Sequence, residues 1–96
     1  MLVVVSYDVS TIEPAGRRRL RRIAKVCQDF GQRAQNSVFE CVVAPDEWTR
    51  LRLRLLDEFD PKEDSLRFYF LGSNFKSKIE HHGSKKTVDL EGPLVL

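Results

Sequence analysis

The chain begins with a dense run of apolar residues. Leu2 to Val5 are all apolar and mostly β-branched, and polar residues follow from Ser6. A run of this density is typical of a strand in the middle of a sheet rather than at its edge. We therefore predict a buried central β-strand at the start of the chain, with Asp8 at its carboxyl end.

The next segment has the apolar periodicity of a helix. Apolar residues recur at steps of three and four positions: Leu20, Ile23, Ala24, Cys27 and Phe30. This spacing places them on one helical face. Ser10 and Glu13 have the spacing of a capping box, and Pro14 suits a first helical position. We predict a helix from about residue 13, with Gly31 ending it in a left-handed conformation.

Apolar and polar positions then alternate in the middle of the chain, from residue 32 to residue 43. This alternation is typical of half-buried strands. Asn36 and Ser37 interrupt it at a position suited to a turn. We predict a hairpin made of a short strand at residues 33–35 and a longer one at residues 38–43.

A second helix and a last strand complete the pattern. Asp46 is a suitable helix cap, and the residues at helical spacing after it are Trp48, Leu51, Leu55 and Phe59. Asp60 and Pro61 close this helix. From Ser65 to Leu71 large apolar residues alternate again, which predicts a strand.

The order strand, helix, strand, strand, helix, strand predicts a ferredoxin-like α+β fold, β-α-β-β-α-β. This fold is one antiparallel sheet with two helices on one face. We assign the core to residues 1–71 and treat residues 72–96 as a basic C-terminal extension. The fold hosts enzymes, RNA-binding proteins and modules that bind small metabolites, so it does not decide the function.

The extension ends in the apolar residues Leu94, Val95 and Leu96, which need a surface to cover. We predict that they form a further strand at a sheet edge, either within the chain or on the partner of a homodimer.

Length and composition exclude several classes of protein. A chain of 96 residues is one domain with a modest core. Its first residues lack the basic start and small-residue cleavage site of a signal peptide, and no run approaches the roughly 20 apolar residues of a membrane span, so we expect a cytoplasmic protein that does not enter a membrane. Cys27 and Cys41 are isolated thiols, which favours small core residues over a redox pair or zinc site. His81 and His82 lie in a polar segment, so we predict that their side chains are exposed.

Positive charge is concentrated in the first predicted helix. Six basic residues with no acid among them lie close together: Arg17, Arg18, Arg19, Arg21, Arg22 and Lys25. A solvated helix surface usually mixes both signs of charge, so we favour binding to the phosphates of a nucleic acid. An ordinary solvated surface is the alternative.

Asp8 is the candidate for chemistry. A carboxylate at the end of a buried strand is held by a rigid backbone, and binding and catalytic groups often occupy such positions. The alternative is that Asp8 only starts a turn, because aspartate side chains also bond to nearby backbone amides.

Three segments together resemble the small CRISPR-associated protein 2 family. They are Val4-Val5-Ser6-Tyr7-Asp8-Val9-Ser10, Gly31-Gln32-Arg33-Ala34-Gln35-Asn36-Ser37-Val38-Phe39-Glu40 and Asp64-Ser65-Leu66-Arg67-Phe68-Tyr69. The resemblance covers residues 1–71 in the family's order and spacing. It implies a ferredoxin-like homodimer that joins the CRISPR-associated integrase when new spacers are acquired. Since many members of the family are described as magnesium-dependent endonucleases, the resemblance also implies this activity.

By this resemblance Asp8 is the catalytic residue and metal ligand, with one copy from each protomer. Its supporting residues are Tyr7, Arg33, Ser37 and Phe39. Mg²⁺ suits phosphodiester hydrolysis because it neutralises phosphate charge and activates water while needing few protein carboxylates. Two functions remain open: an endonuclease that cuts RNA or double-stranded DNA, and a non-catalytic dimer that holds DNA and bridges integrase subunits.

Overall fold

The computed structural model describes residues 1–72 and 78–84. Its elements are β1 (Leu2–Asp8), α1 (Pro14–Phe30), β2 (Gln32–Gln35), β3 (Val38–Val42), α2 (Pro45–Glu58), β4 (Ser65–Leu71) and β5 (Lys78–Gly83). The strands form one antiparallel sheet in the order β2-β3-β1-β4-β5. The first six elements follow the predicted ferredoxin-like order, so the predicted fold class is confirmed.

β1 is the central strand of this sheet, as predicted. It pairs with β3 on one side and with β4 on the other, and Val5 lies opposite both Phe39 and Phe68. Val3, Val5 and Tyr7 are buried, whereas the alternate residues of β1 are only partly covered. The burial is one-sided because the helices cover one face of the sheet.

The core lies between that face and the two helices. Its members from the helices are Ile23, Val26, Cys27, Leu51 and Leu55, and its members from the strands include Val3, Val5, Phe39, Cys41, Leu66 and Phe68. Both cysteines are buried and form no disulfide. Burial raises the pKa of the Cys27 thiol to about 12 and that of the Cys41 thiol to about 11. These protonated thiols are therefore small core residues, as the sequence indicated.

The predicted helix starts are right to within two residues, but both predicted caps are wrong. Glu13 is the N-cap of α1 and makes no side-chain cap bond. Ser10 does not cap α1, and its amide instead donates to Asp64 Oδ1 at 3.1 Å. At α2, Asp46 lies inside the first turn, and the amide of Ala44 donates to Glu47 Oε1 at 2.8 Å. In both helices a proline occupies the first helical position: Pro14 lies four residues beyond Ser10, and Pro45 lies one residue before Asp46.

Gly31 ends α1 but not in a left-handed conformation. Its φ of −163° and ψ of −164° are extended, so the predicted left-handed cap is wrong. Glycine is needed here for space, because a Cβ atom would lie 2.4 Å from the carbonyl oxygen of Glu40 and 2.6 Å from Cys41 Sγ. The chain turns from α1 into the sheet directly against β3, where a side chain cannot fit.

β5 (Lys78–Gly83) was not predicted from the sequence. This strand pairs with β4, and Ile79 lies opposite Tyr69. Its polar composition hides the strand pattern, and its histidines are half-buried rather than exposed as predicted. The strand predicted at residues 94–96 lies outside the described residues, and the division at residue 71 stays a prediction. Neither described helix is long and apolar enough to cross a bilayer.

Asp64 is a fully buried carboxylate that joins three parts of the fold. It accepts hydrogen bonds from Arg19 Nε at 2.8 Å and Nη2 at 3.1 Å, and from the amides of Ser10 at 3.1 Å and Asp60 at 2.9 Å. Burial opposes its ionisation, but the hydrogen bonds from Arg19 and the two amides lower its pKa below the usual range. Asp64 thereby ties the β1–α1 loop and α1 to the segment that leads into β4.

Replacing Asp64 should therefore destabilise the fold. Removal of one partner from a buried ion pair costs about 3–5 kcal/mol, so the Asp64→Asn variant should lose this much free energy of unfolding at pH 7. Because the folded-state pKa is lowered, the contribution of the carboxylate is present above its unfolded pKa and is lost as the pH falls through the folded value. The gap from wild type should accordingly shrink towards low pH.

Urea denaturation at several pH values checks this. Asp46→Asn is the control, because Asp46 forms an exposed pair with Arg50 at 3.5 Å. This variant should stay within about 0.5 kcal/mol of wild type. A loss of equal size in both variants would contradict a special role for Asp64.

Candidate functional site

Asp8 lies at the carboxyl end of the central strand and is exposed. Successive side chains of a strand point to opposite sides of the sheet. Because Tyr7 is buried in the core under the helices, Asp8 lies on the other side. We call this side, which carries Ser6, Asp8 and Arg67, the open sheet face. The position of Asp8 at a strand end agrees with the sequence analysis.

The four predicted supporting residues lie together beside the end of β1. The amide of Tyr7 donates to the carbonyl oxygen of Ser37 at 3.0 Å. Tyr7 Oη and Arg33 Nη1 both donate to the carbonyl oxygen of Asn36, at 3.4 Å and 3.3 Å. The guanidinium of Arg33 lies 5.0 Å from the ring centroid of Phe39, which stacks with Tyr7 at 6.2 Å. These contacts hold the β2–β3 turn against the end of β1.

The supporting cluster acts on Asp8 through the backbone. Tyr7 and Phe39 face the helices, whereas Asp8 faces the open side. Burial, followed by the neighbouring Cys27 thiol, raises the pKa of Tyr7, and the charge of Arg33 opposes this only in part. The phenol is therefore protonated near neutral pH and can donate its hydrogen bond. These two hydrogen bonds of Tyr7, from its hydroxyl and its amide, hold the end of β1 in place next to Asp8.

Asp8 supplies a hard oxygen ligand of the kind that Mg²⁺ prefers. Mg²⁺ keeps several waters and is commonly bound by one or two carboxylates. Within residues 1–72 and 78–84, no group of three or more His, Cys, Asp or Glu side chains is placed to hold a metal ion. One carboxylate ligand from the described residues is compatible with a magnesium ion that keeps most of its waters.

The basic residues of α1 divide into two groups. One group is Arg18, Arg21, Arg22 and Lys25, which line a groove of about 330 Å³ between the two helices. Val26, Arg54 and Glu58 complete its lining, and we call it the basic groove. The other group is Arg17, whose Nη1 donates to the carbonyl oxygen of Thr11 at 3.3 Å, and Arg19, which binds Asp64. The structure therefore brings together four of the six basic residues that the sequence selected.

Positive charge dominates the basic groove. Asp29 at its edge pairs with Lys25 at 2.8 Å and with Arg54 at 3.1 Å. Hydrogen bonds from Lys25 and then Arg54 lower the pKa of this carboxyl below its usual range. Within the part of the chain that the structure describes, no carboxylate pairs with the three other arginines of the groove. They remain available to phosphates.

Sequence reasoning missed Arg54 as a member of this surface. Arg50, Arg52 and Arg54 all lie on α2, and nothing in their spacing distinguishes them. The structure separates them: Arg50 pairs with Asp46, Arg52 with Glu80 on β5, and Arg54 faces α1, where its guanidinium lies 5.6 Å from the ring centroid of Phe30. Only the packing of α2 against α1 selects Arg54.

The described elements define a small ferredoxin-like α+β protein with an exposed carboxylate at the end of its central strand. The sequence profile of the family described as CRISPR associated protein Cas2 matches residues 1–79. The chain belongs to the CRISPR-associated Cas2 family.

Two curated relatives match almost the whole chain. The CRISPR-associated endoribonuclease Cas2 of Chlorobaculum tepidum is 66% identical over 96 residues, which is 100% of both chains. The CRISPR-associated endonuclease Cas2 of Halalkalibacterium halodurans is 53% identical over 95 residues, which is 99% of each chain. The crystal structure of Streptococcus pyogenes Cas2 at pH 6.5 superimposes with a TM-score of 0.71 at 57% identity, covering 78% of this chain and 90% of that one.

The basic groove yields a salt-dependence prediction. If Arg18 and Arg22 contact the phosphates of duplex DNA, each alanine variant should bind more weakly. Each should also lower the slope of log affinity against log salt by about 0.9, because one phosphate contact releases condensed counterions. Fluorescence anisotropy with labelled duplexes at several salt concentrations measures both quantities.

The control is Arg50→Ala, because Arg50 is exposed and lies outside the groove. This variant should leave the slope unchanged. Equal slopes for all three variants would identify the groove as an ordinary solvated surface.

Proposed function

We propose that this protein is a metal-dependent endonuclease that hydrolyses phosphodiester bonds of RNA or double-stranded DNA. We infer that it acts in the cytoplasm during spacer acquisition, together with the CRISPR-associated integrase. The observation that carries the proposal is the exposed carboxylate of Asp8 at the end of the central strand. Family membership supports it, as do the names endoribonuclease and endonuclease carried by relatives that match the whole chain.

In this proposal, Asp8 from each of two protomers holds one Mg²⁺ ion. When bound, the ion supplies charge neutralisation at the phosphate and an activated water. The residues of the chain have two further tasks. The cluster of Tyr7, Arg33 and Phe39 keeps the strand end rigid, so that Asp8 is preorganised for its ligand. The basic groove holds the nucleic acid backbone without reading its sequence.

The surface of the protomer supports a homodimer. Val42 on β3 is 79% exposed and Leu71 at the end of β4 is 46% exposed, which leaves apolar area uncovered at one end of the sheet. Apolar surface of this kind is stabilised by burial against a second copy. A dimer is also what the proposed metal site requires, since one chain brings only one Asp8.

A non-catalytic scaffold is the second candidate function. One observation favours it: a single chain brings one carboxylate to the site, and the described residues contain no group of three metal-ligand side chains. The basic groove would serve a DNA-binding dimer that bridges integrase subunits equally well. The two functions differ in one measurable property, which is whether the protein cleaves nucleic acid in a way that requires Asp8.

Replacing Asp8 tests the nuclease directly. Asp8→Asn removes the charge that would hold Mg²⁺ but keeps the size of the side chain. Wild-type protein with Mg²⁺ should cleave labelled RNA or duplex DNA, and the variant should not. Binding through the basic groove and the melting temperature should change little. Removing two facing carboxylates relieves like-charge repulsion, so a small gain in stability is also consistent.

Asp46→Asn is the charge-matched control and should cleave as wild type does. Wild-type cleavage rates in the Asp8→Asn variant would contradict the assignment of the site. An inactive wild type that still assembles with the integrase and DNA would favour the scaffold.

The end of the chain yields a test of the dimer. Residues 94–96 lie outside the described residues, and we propose that they cover a sheet edge in the dimer. Deleting residues 92–96 should then lower the dimer fraction, as measured by light scattering at several protein concentrations. A truncated protein that forms an equally stable dimer would rule out this role for the tail.

A further inference from the structure

We propose that the buried pair of Arg19 and Asp64 positions Asp8 for metal binding. The inference rests on the proposed function, because Asp8 is the residue that would hold the ion. Asp64 is fully buried and Arg19 lies on α1, where it binds Asp64. Both are therefore positioning residues, which act on Asp8 through the backbone next to it.

Asp8 is the last paired residue of β1. Pairing with β3 runs only from Leu2 to Ser6, whereas pairing with β4 continues to Asp8, which lies opposite Ser65. Ser65 is also the first residue of β4. A pair at the end of two strands opens easily unless the chain beyond it is held. The rigidity of Asp8 therefore depends on the residues that follow it on β1 and on those that precede β4.

Asp64 holds the chain on both sides of this last pair. It directly precedes Ser65 in the sequence. Its Oδ1 accepts a hydrogen bond from the amide of Ser10, two residues after Asp8, at 3.1 Å. Its carbonyl oxygen accepts a hydrogen bond from the amide of Ser84, the residue after β5, at 3.1 Å. One buried residue thus joins the end of β1, the start of β4 and the end of β5.

Arg19 sets the direction in which the carboxylate of Asp64 points. Arg19 Nε donates to Oδ2 at 2.8 Å, and Nη2 donates to Oδ1 at 3.1 Å. A contact of two hydrogen bonds between guanidinium and carboxylate fixes the orientation of both groups. The Oδ1 atom is also the acceptor for the amide of Ser10. Loss of the guanidinium would release this atom and leave a buried charge without its partner.

The segment after Asp8 is also packed tightly against α1. Val9 is 8% exposed and belongs to the core. The backbone of Ser10 lies directly against Gly16, where a Cβ atom would be 1.8 Å from the carbonyl oxygen of Ser10. A methyl group at this position must therefore displace the Ser10 backbone. Gly16 offers a second way to disturb the same segment, and it involves no change of charge.

The two sides of the end of β1 are thus held by different contacts. The supporting cluster holds the β2–β3 turn against the end of β1, through the hydrogen bonds and ring contacts of Tyr7. The Arg19–Asp64 pair holds the side of β4. Such support matters for chemistry, because a reacting group that moves by about 1 Å can lose about 100-fold in rate.

Cleavage by folded variants tests the proposal. At a temperature where each variant is folded, Arg19→Gln and Gly16→Ala should each lower kcat with Mg²⁺ by at least about tenfold. KM for the nucleic acid should change by less than about twofold, since the basic groove is intact. Arg19→Lys keeps the charge and should recover part of kcat.

Leu51→Ala is the control for stability. Leu51 is a fully buried core residue of α2, and truncation of such a side chain destabilises the fold. It does not take part in the hydrogen bonds of Asp64. This variant should therefore unfold more easily but keep the kcat of the wild type.

Nitrogen-15 relaxation without metal measures the rigidity of Asp8 independently of cleavage. In the wild type, the order parameter of the Asp8 amide should match that of Val5 in the middle of β1, near the value of about 0.85 for a rigid backbone. In Arg19→Gln and Gly16→Ala it should fall towards about 0.6, while that of Val5 stays unchanged. Leu51→Ala should leave both values as in the wild type.

The possible outcomes separate the inference from the proposed function. Wild-type kcat or a wild-type order parameter of Asp8 in folded Arg19→Gln protein would overturn the inference and leave the nuclease intact. An equal loss of kcat in Leu51→Ala would also overturn it, because the pair would then act only through global stability. Cleavage absent from the wild type would overturn the proposed function, while the order parameters would still decide whether the pair holds Asp8.

Folding of the variants is checked by thermal unfolding. If Arg19→Gln does not fold, Gly16→Ala and Arg19→Lys decide by the same two measurements. If none of the three folds, the contacts are purely structural and the inference is wrong.

Discussion

The arrangement of this protein depends on the central position of β1. A strand with a hydrogen-bonded neighbour on each side cannot rotate or slip, because a shift of one residue would move Val3, Val5 and Tyr7 out of the core. The same constraint determines where Asp8 lies. Tyr7 must face the helices, so Asp8 must face away from them at the end of a rigid strand. The position of the candidate metal ligand therefore follows from the packing of the core.

This geometry places the two proposed activities on different sides of the sheet. The helix side carries the basic groove, whose arginines would bind the phosphates of a nucleic acid backbone without reading its sequence. The open sheet face carries Asp8, which would act on one particular phosphate. A protein organised in this way can bind nucleic acid without cutting it. The nuclease and the scaffold are thus two uses of one structure, and they differ only in whether the open face holds metal and substrate.

Local signals allowed much of the fold to be predicted. The apolar density of β1, the helical spacing of Leu20 to Phe30 and the alternation from Ser65 to Leu71 each depend on neighbours in sequence. Features that depend on distant contacts were missed. The amide of Ser10 donates to Asp64, which lies 54 positions later in the sequence. A contact over this distance gives no local signal, so the cap of α1 was predicted wrongly. β5 is stabilised by pairing with β4, and its polar sequence gives no sign of this.

In the candidate site, too, some residues were predicted from the sequence and others depend on distant contacts. Asp8 was selected from its position at the end of an apolar strand, and its supporting cluster from a resemblance to a family. The structure brings Tyr7, Arg33, Ser37 and Phe39 together beside the end of β1. Arg19 illustrates what sequence cannot show, because its charge is engaged by a buried carboxylate 45 positions away. Arg54 is the opposite case, a groove residue that only helix packing reveals.

The central claim is that the carboxylate at the end of β1 binds the catalytic metal on the open sheet face. Mn²⁺ can replace Mg²⁺ at oxygen-rich sites, and its paramagnetism broadens the NMR signals of nearby nuclei. Titration of the isotope-labelled protein with Mn²⁺ should broaden the amide signals of Ser6, Asp8 and Ser65 first and leave those of Arg21 and Arg22 sharp. The effect should disappear in the Asp8→Asn variant. Broadening centred elsewhere, or identical broadening in the variant, would contradict the account.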